Sequence, residues 1–182
     1  TVEWAESIAR LQKENEDFIS LPAARAKDYR PVKTFFKGAG NLAEKSRAQA
    51  VARIVEVAKS NGLKTFGSVS NGLAEICVAN SLGVFAHTVC GDVFCNIVMA
   101  TDDSTGYAQA GARDVRSIDF QILAERAARK ATMSASPKDI APGMYTTIFE
   151  PLAVREFLNY LAYYAFNGKT FAEGRSFISG KL

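Results

Sequence analysis

At 182 residues and 48% hydrophobic content, the chain can enclose one sizeable core, or two small ones, without disulfide or metal staples. Its 22 basic and 19 acidic residues are interspersed and leave a net charge of +3, which argues against a dedicated nucleic-acid surface, where clustered positive charge is needed. Three cysteines at irregular spacing make no disulfide framework and fit reduced thiols of a cytoplasmic protein; no apolar run approaches the roughly 20 residues of a bilayer span.

From the N-terminus, Thr1 to about Phe18 is predicted helical. Thr1 can cap it, Glu3 and Glu6 suit its positive end, and Trp4, Ile8, Leu11 and Phe18 form an apolar stripe. Leu21 to Gly40 holds Pro22, Pro31, Gly38 and Gly40 without a clean period, so it reads as an extended connection with at most one short strand, over Val32–Phe36. A second helix is expected from about Asn41 to Ser60, with Ala48, Val51, Ile54, Val55 and Ala58 toward the core and Asn61-Gly62 ending it.

Between Leu63 and Gly111 the texture becomes β. Thr65–Ser70, Glu75–Ala79, Val84–Cys90, Val93–Ala100 and Gly106–Ala110 are short runs rich in Val, Ile, Phe and Thr. They are separated by Asn71-Gly72, Ser81-Leu82-Gly83, Gly91-Asp92 and Asp102-Asp103-Ser104, which predicts an antiparallel meander. After a polar link over Asp114–Ser117, Ile118 staples a helix running from Asp119 to about Ala135. There Ala124, Ala127, Ala128 and Ala131 make a smooth face for close packing on a sheet.

Pro142-Gly143 marks a turn, and Tyr145–Phe149 reads as a short buried strand. Pro151 then opens a helix at the position where its missing N–H costs least. Val154, Phe157, Leu158, Leu161, Tyr164 and Ala165 fall on one face of it, and Asn167-Gly168 is expected to stop it ahead of a Gly-rich C-terminal loop. The expected fold class is α+β, an antiparallel sheet of about five or six strands with helices packed on one side. The expected organisation is a helical segment with an extended connection over 1–62, followed by one compact unit over 63–182.

Several constellations invite a sharper chemistry. Gly38-Ala39-Gly40-Asn41-Leu42-Ala43 fits a relaxed dinucleotide fingerprint, but a Rossmann unit also needs an acidic residue about twenty positions later at a second strand end. Lys59-Ser60-Asn61-Gly62 stands there instead, so the motif is read as a flexible turn before a helix. Gly174 to Lys181 has one residue too many between its glycines for a phosphate loop, and Leu182 replaces the hydroxyl that would bind magnesium. His87 and Cys90 are an odd number of residues apart, which on one strand puts them on opposite faces and prevents a shared metal; with Cys95 they read as half-buried strand residues. His87 is the only histidine, so no Ser-His-Asp triad can rest on another. Asp102 and Asp103 suit a hairpin turn, and Glu150 and Glu156 suit a helix start. Tyr160, Tyr163, Tyr164 and Phe166 cannot all point into a core at helical spacing; for Tyr160 and Tyr163 packing is the first reading, and contact with a partner or peptide the second.

Taken together, the Pro-Gly turn, the Pro-led apolar helix and the closing Gly-x-Ser-Phe-x-x-Gly-Lys-Leu of Gly174–Leu182 resemble the TldD/PmbA family, the modulator of DNA gyrase proteins. The resemblance continues through the Asn80-Ser81-Leu82-Gly83 turn and the Ala-rich helix after Asp119, and is weaker before Gly62. The family's proteolytic member carries a zinc-binding His-Glu-x-x-x-His on the Pro-led helix. The resemblance sets Asn159, Tyr160 and Tyr164 in the His, Glu and His places. An amide is a poor zinc ligand, and a phenol with a pKa near ~10 is no carboxylate base at neutral pH.

The chain therefore resembles the PmbA/TldE-like branch, and the absent start Met with the stop inside a family motif suggests a fragment. What the resemblance implies is a non-catalytic subunit or domain with no catalytic residue and no cofactor of its own. Zinc is expected on a TldD-like paralogue, and small or unfolded peptides are the expected substrate. Asn159, Tyr160, Tyr163, Tyr164 and Ser176 are the implied cleft or partner-contact residues, with Ser176 beside the cleft where a peptide backbone would lie. A homodimer is an open alternative, and no membrane or nucleic-acid partner is expected. The competing readings are a metallopeptidase whose site is completed outside this fragment, and a gyrase-associated or nucleic-acid-binding module.

Overall fold

The computed structural model describes residues 1–13, 19–23, 29–30, 32–36, 38 and 43–181. The chain divides into two compact units, Thr1–Lys138 and Asp139–Leu182. Gly62, where the sequence suggested a boundary, lies inside the first unit.

In the first unit, α1 (Val2–Leu11) realises the start of the first expected helix, with Arg10 paired to Glu6 at 2.6 Å one turn back. Residues 14–18 of that expected span, including Phe18, lie outside the described residues. The stripe formed by Trp4, Ile8 and Leu11 is exposed. Val32–Phe36 does not form a strand. It is tied to the sheet by Thr34, whose hydroxyl donates to the Val89 carbonyl at 2.8 Å and lies 2.9 Å from that of Thr88.

α2 (Glu44–Ser60) ends at Asn61-Gly62 as expected, with Gly62 in the left-handed region at φ 65°. Its expected start at Asn41 lies outside the described residues. The buried stripe is Ala50, Ile54 and Ala58, with Val57 packed beside it, whereas Val51 and Ala48 are exposed. Ile54 and Ala58 thus face the core as expected and Val55 is half-buried, while Ala50 is buried where Ala48 and Val51 were expected.

Among the described residues the sheet has three strands, not five or six: β1 (Lys64–Ala79), β2 (Phe85–Ala100) and β3 (Thr105–Ala112), antiparallel in the order β1-β2-β3. The register explains the miscount. Asn71-Gly72 and Gly91-Asp92, both read as turns, lie across from one another in the ladder, with Gly72 opposite Asp92 and Leu73 opposite Gly91. Four expected runs thereby merge into the two arms of a single long hairpin. The real reversals are the other two expected turns, at Ser81-Leu82-Gly83 and Asp102-Asp103-Ser104. Asn80 accepts the N–H groups of Leu82 and Val84 on its side-chain oxygen, both at 3.0 Å, and Gly83 takes φ 84°. At the second reversal Thr101 N–H donates to Ser104 O at 3.0 Å, and Asp103 accepts from the Thr101 hydroxyl and from Ser136 N–H.

Burial follows the period of two. Val93, Cys95, Ile97 and Met99 of β2 are buried and alternate with partly exposed neighbours. The helices lie on that face: α2 packs on β1, and α3 (Phe120–Met133) packs on β2, β3 and α2. The α3 stripe is as expected, with Ala124, Ala127, Ala128 and Ala131 all buried. Asp119 caps the helix by accepting from the N–H groups of Gln121 and Ile122, each at 3.0 Å, and Ile118 is buried just ahead of it. Gly106 on β3 is where sheet and helix come closest. A Cβ added there would lie 2.1 Å from Ala127 O and 2.3 Å from Ala131 N. Among the described residues no third strand pairs with the hairpin beyond Gly72 and Gly91; Leu73 and Phe85 stand exposed on one face of it, Ile76 and Val78 on the other.

In the second unit, Tyr145–Phe149 is not a strand, and Ile148 is 95% exposed. Among the described residues of this unit no strand is available to pair with it, and an extended segment without a partner leaves its backbone to water. α4 (Pro151–Tyr164) begins with proline in its first turn, as predicted. Asn167 does not act as a stop. It starts α5 (Gly168–Ala172), its side chain accepting from Lys169 N–H at 3.0 Å and Thr170 N–H at 3.3 Å.

Candidate functional site

The residues singled out by sequence fall on α4 and on the turn after α5. Asn159, Tyr160, Tyr163 and Tyr164 are spaced by three and four, so the helix carries them as one lateral patch. All four are exposed. The rings touch one another: Tyr160 and Tyr164 lie parallel at 6.2 Å between centroids, and Tyr163 meets Tyr164 edge-on at 5.0 Å. Further along the helix, Phe157 meets Phe149 edge-on at 5.3 Å. Of the face predicted to be apolar, Ala165 is buried and Leu161 half-buried, while Val154, Phe157, Leu158 and Tyr164 remain in solvent.

Ser176 is in a different environment. It is 6% exposed, donates its hydroxyl to Ala165 O at 2.7 Å and accepts from Ile178 N–H at 3.3 Å. It thereby ties the turn after Gly174, itself at φ 70°, back to the C-terminal end of α4 and satisfies a carbonyl there. The sequence offers little signal for this role beyond a small hydroxyl residue placed two positions after a glycine.

Positions 159, 160 and 164 supply an amide and two phenols, with no imidazole or carboxylate among them. Glu156, the nearest carboxylate on the helix, is paired with Arg155 at 2.5 Å. Among the described residues no three His, Cys, Asp or Glu side chains converge on a common point. A zinc ion on this helix does not fit the residues present.

The first unit holds the chain's single histidine. His87 Nε2 lies 2.7 Å from Glu75 Oε1, and the register sets His87 opposite Cys77. Because β2 is continuous, His87 and Cys90 do project to opposite faces. The three thiols differ in access: Cys77 is exposed, Cys90 partly buried and Cys95 fully buried. Burial pushes the Cys95 thiol up to about 11, so it is an inert part of the core. On the turn after β3, hydrogen bonds from the Arg116 side chain and backbone hold the Asp114 carboxyl down to about 2. That pair closes a local turn in which Asp114 caps the short helical turn Val115–Ser117. Among the described residues no helix is long and apolar enough to cross a membrane.

Residues 21–135, well over half of the chain, match a family model described as the PmbA/TldA metallopeptidase central domain. The chain belongs to the PmbA/TldD family. Two solved structures are similar to it throughout. One is a Thermotoga maritima protein bearing the name modulator of a DNA gyrase, with 18% identity and a TM-score of 0.76 over 98% of this chain. The other is TldE from Thermococcus kodakarensis, with 17% identity and a TM-score of 0.71 over 100% of this chain. At that identity the likeness is one of fold. The chain spans 42% of the length of each. A comparison with curated proteins gave no match. The matched PmbA/TldD central domain lies wholly within the first unit, so α4 and Ser176 fall outside it.

Proposed function

We propose that this chain is a metal-free, TldE/PmbA-type part of a PmbA/TldD metallopeptidase that acts on small or unfolded peptides. The zinc ion and the general base come from a TldD-type paralogue carrying His-Glu-x-x-x-His. The observation that carries this reading is the side-chain set on α4. Asn159, Tyr160 and Tyr164 stand at the places the resemblance gives to the two ligands and the base, and none of them can do either task at neutral pH. An exposed aromatic patch on that helix supports a role in contact: Tyr160, Tyr163 and Tyr164 offer flat apolar rings with hydroxyls free to bond a peptide backbone or a partner's surface. Ser176 supports the patch by fixing the end of α4. Three free thiols suit a cytoplasmic setting.

The test is reconstitution. The full-length protein containing this chain is purified alone and together with a His-Glu-x-x-x-His paralogue, and zinc content and hydrolysis of unfolded peptides are measured for each. The expected outcome is no stoichiometric zinc and no hydrolysis for the protein alone, with hydrolysis when the two are mixed. One zinc ion per chain and turnover by the isolated protein would overturn the reading.

A further inference from the structure

We draw no further inference here: the strongest candidate, the exposed apolar pair Ile76 and Val78 on one face of the distal half of the β1–β2 hairpin, is an unpartnered surface among the described residues, and nothing in the structure shows what covers it.

Discussion

At Gly106 a missing side chain decides how closely sheet and helix pack. With Ala127 O 2.1 Å and Ala131 N 2.3 Å from an added Cβ, Gly106→Ala must push α3 off β3, because both obstacles are backbone atoms. Overpacking of this kind costs about 1–3 kcal/mol, and the expected outcome is a lower urea midpoint with an unchanged slope. A wild-type midpoint would refute the packing described. Cys95 supplies a second residue-level prediction. Its thiol, ordinarily near 9.0, is raised to about 11 in the folded chain, so above pH 9 the unfolded state loses its proton first. The stabilisation is fully present below pH 9 and is lost as pH rises toward 11. Denaturation midpoints taken across that window should fall, and Cys95→Ala should flatten the fall attributable to this group. In the native protein a thiol reagent should label Cys77 and spare Cys95 until denaturant is added.

Among the elements, α3 was the most legible in the sequence because every local cue agreed. Asp119 caps it, Ile118 precedes it, and four alanines recur at three- and four-residue spacing to mark the buried side. Asp119→Ala should therefore cost about 0.5–2 kcal/mol, while Asp119→Asn, which keeps an accepting oxygen, should lie near wild type. Thermal melts of the two variants distinguish them, and equal losses would show that the cap is not what stabilises the helix start. The β region was legible in type and direction but not in strand count. Asn-Gly and Gly-Asp are turn dipeptides when isolated, yet here each is a cross-strand neighbour of the other, and only long-range pairing distinguishes the two cases. Tyr145–Phe149 failed for the complementary reason: its composition suits a strand, but a strand exists only where another accepts its hydrogen bonds. The candidate site was legible as a helix with a Pro start and as a set of side chains. The burial of Ser176 was not, since the contact that buries it joins residues 11 apart through a backbone carbonyl.

At the scale of the whole molecule, the division into Thr1–Lys138 and Asp139–Leu182 separates the helix-covered sheet from the aromatic helix. Between Lys138 and Pro151 lies an exposed stretch without helix or strand. Limited proteolysis should cut there first, because a protease needs an extended, accessible backbone. Mass spectrometry would then show a fragment ending between residues 138 and 150; first cuts within β2 or α3 would contradict the division. The hairpin has a mechanical consequence as well. Its last seven residue pairs, Leu73–Gly91 to Ala79–Phe85, extend about 23 Å past the third strand at the usual rise per residue. Such a ribbon is a lever braced along its length by Thr34 at Val89 O and at its tip by Asn80, whose amide donates to Pro22 O at 2.8 Å. Its root lies beside Gly72 and Gly91, where each of the two cross-strand pairs has only one side chain, Asp92 or Leu73, so a load applied at the Asn80–Gly83 tip is borne there and by those braces before it reaches the buried residues behind the root.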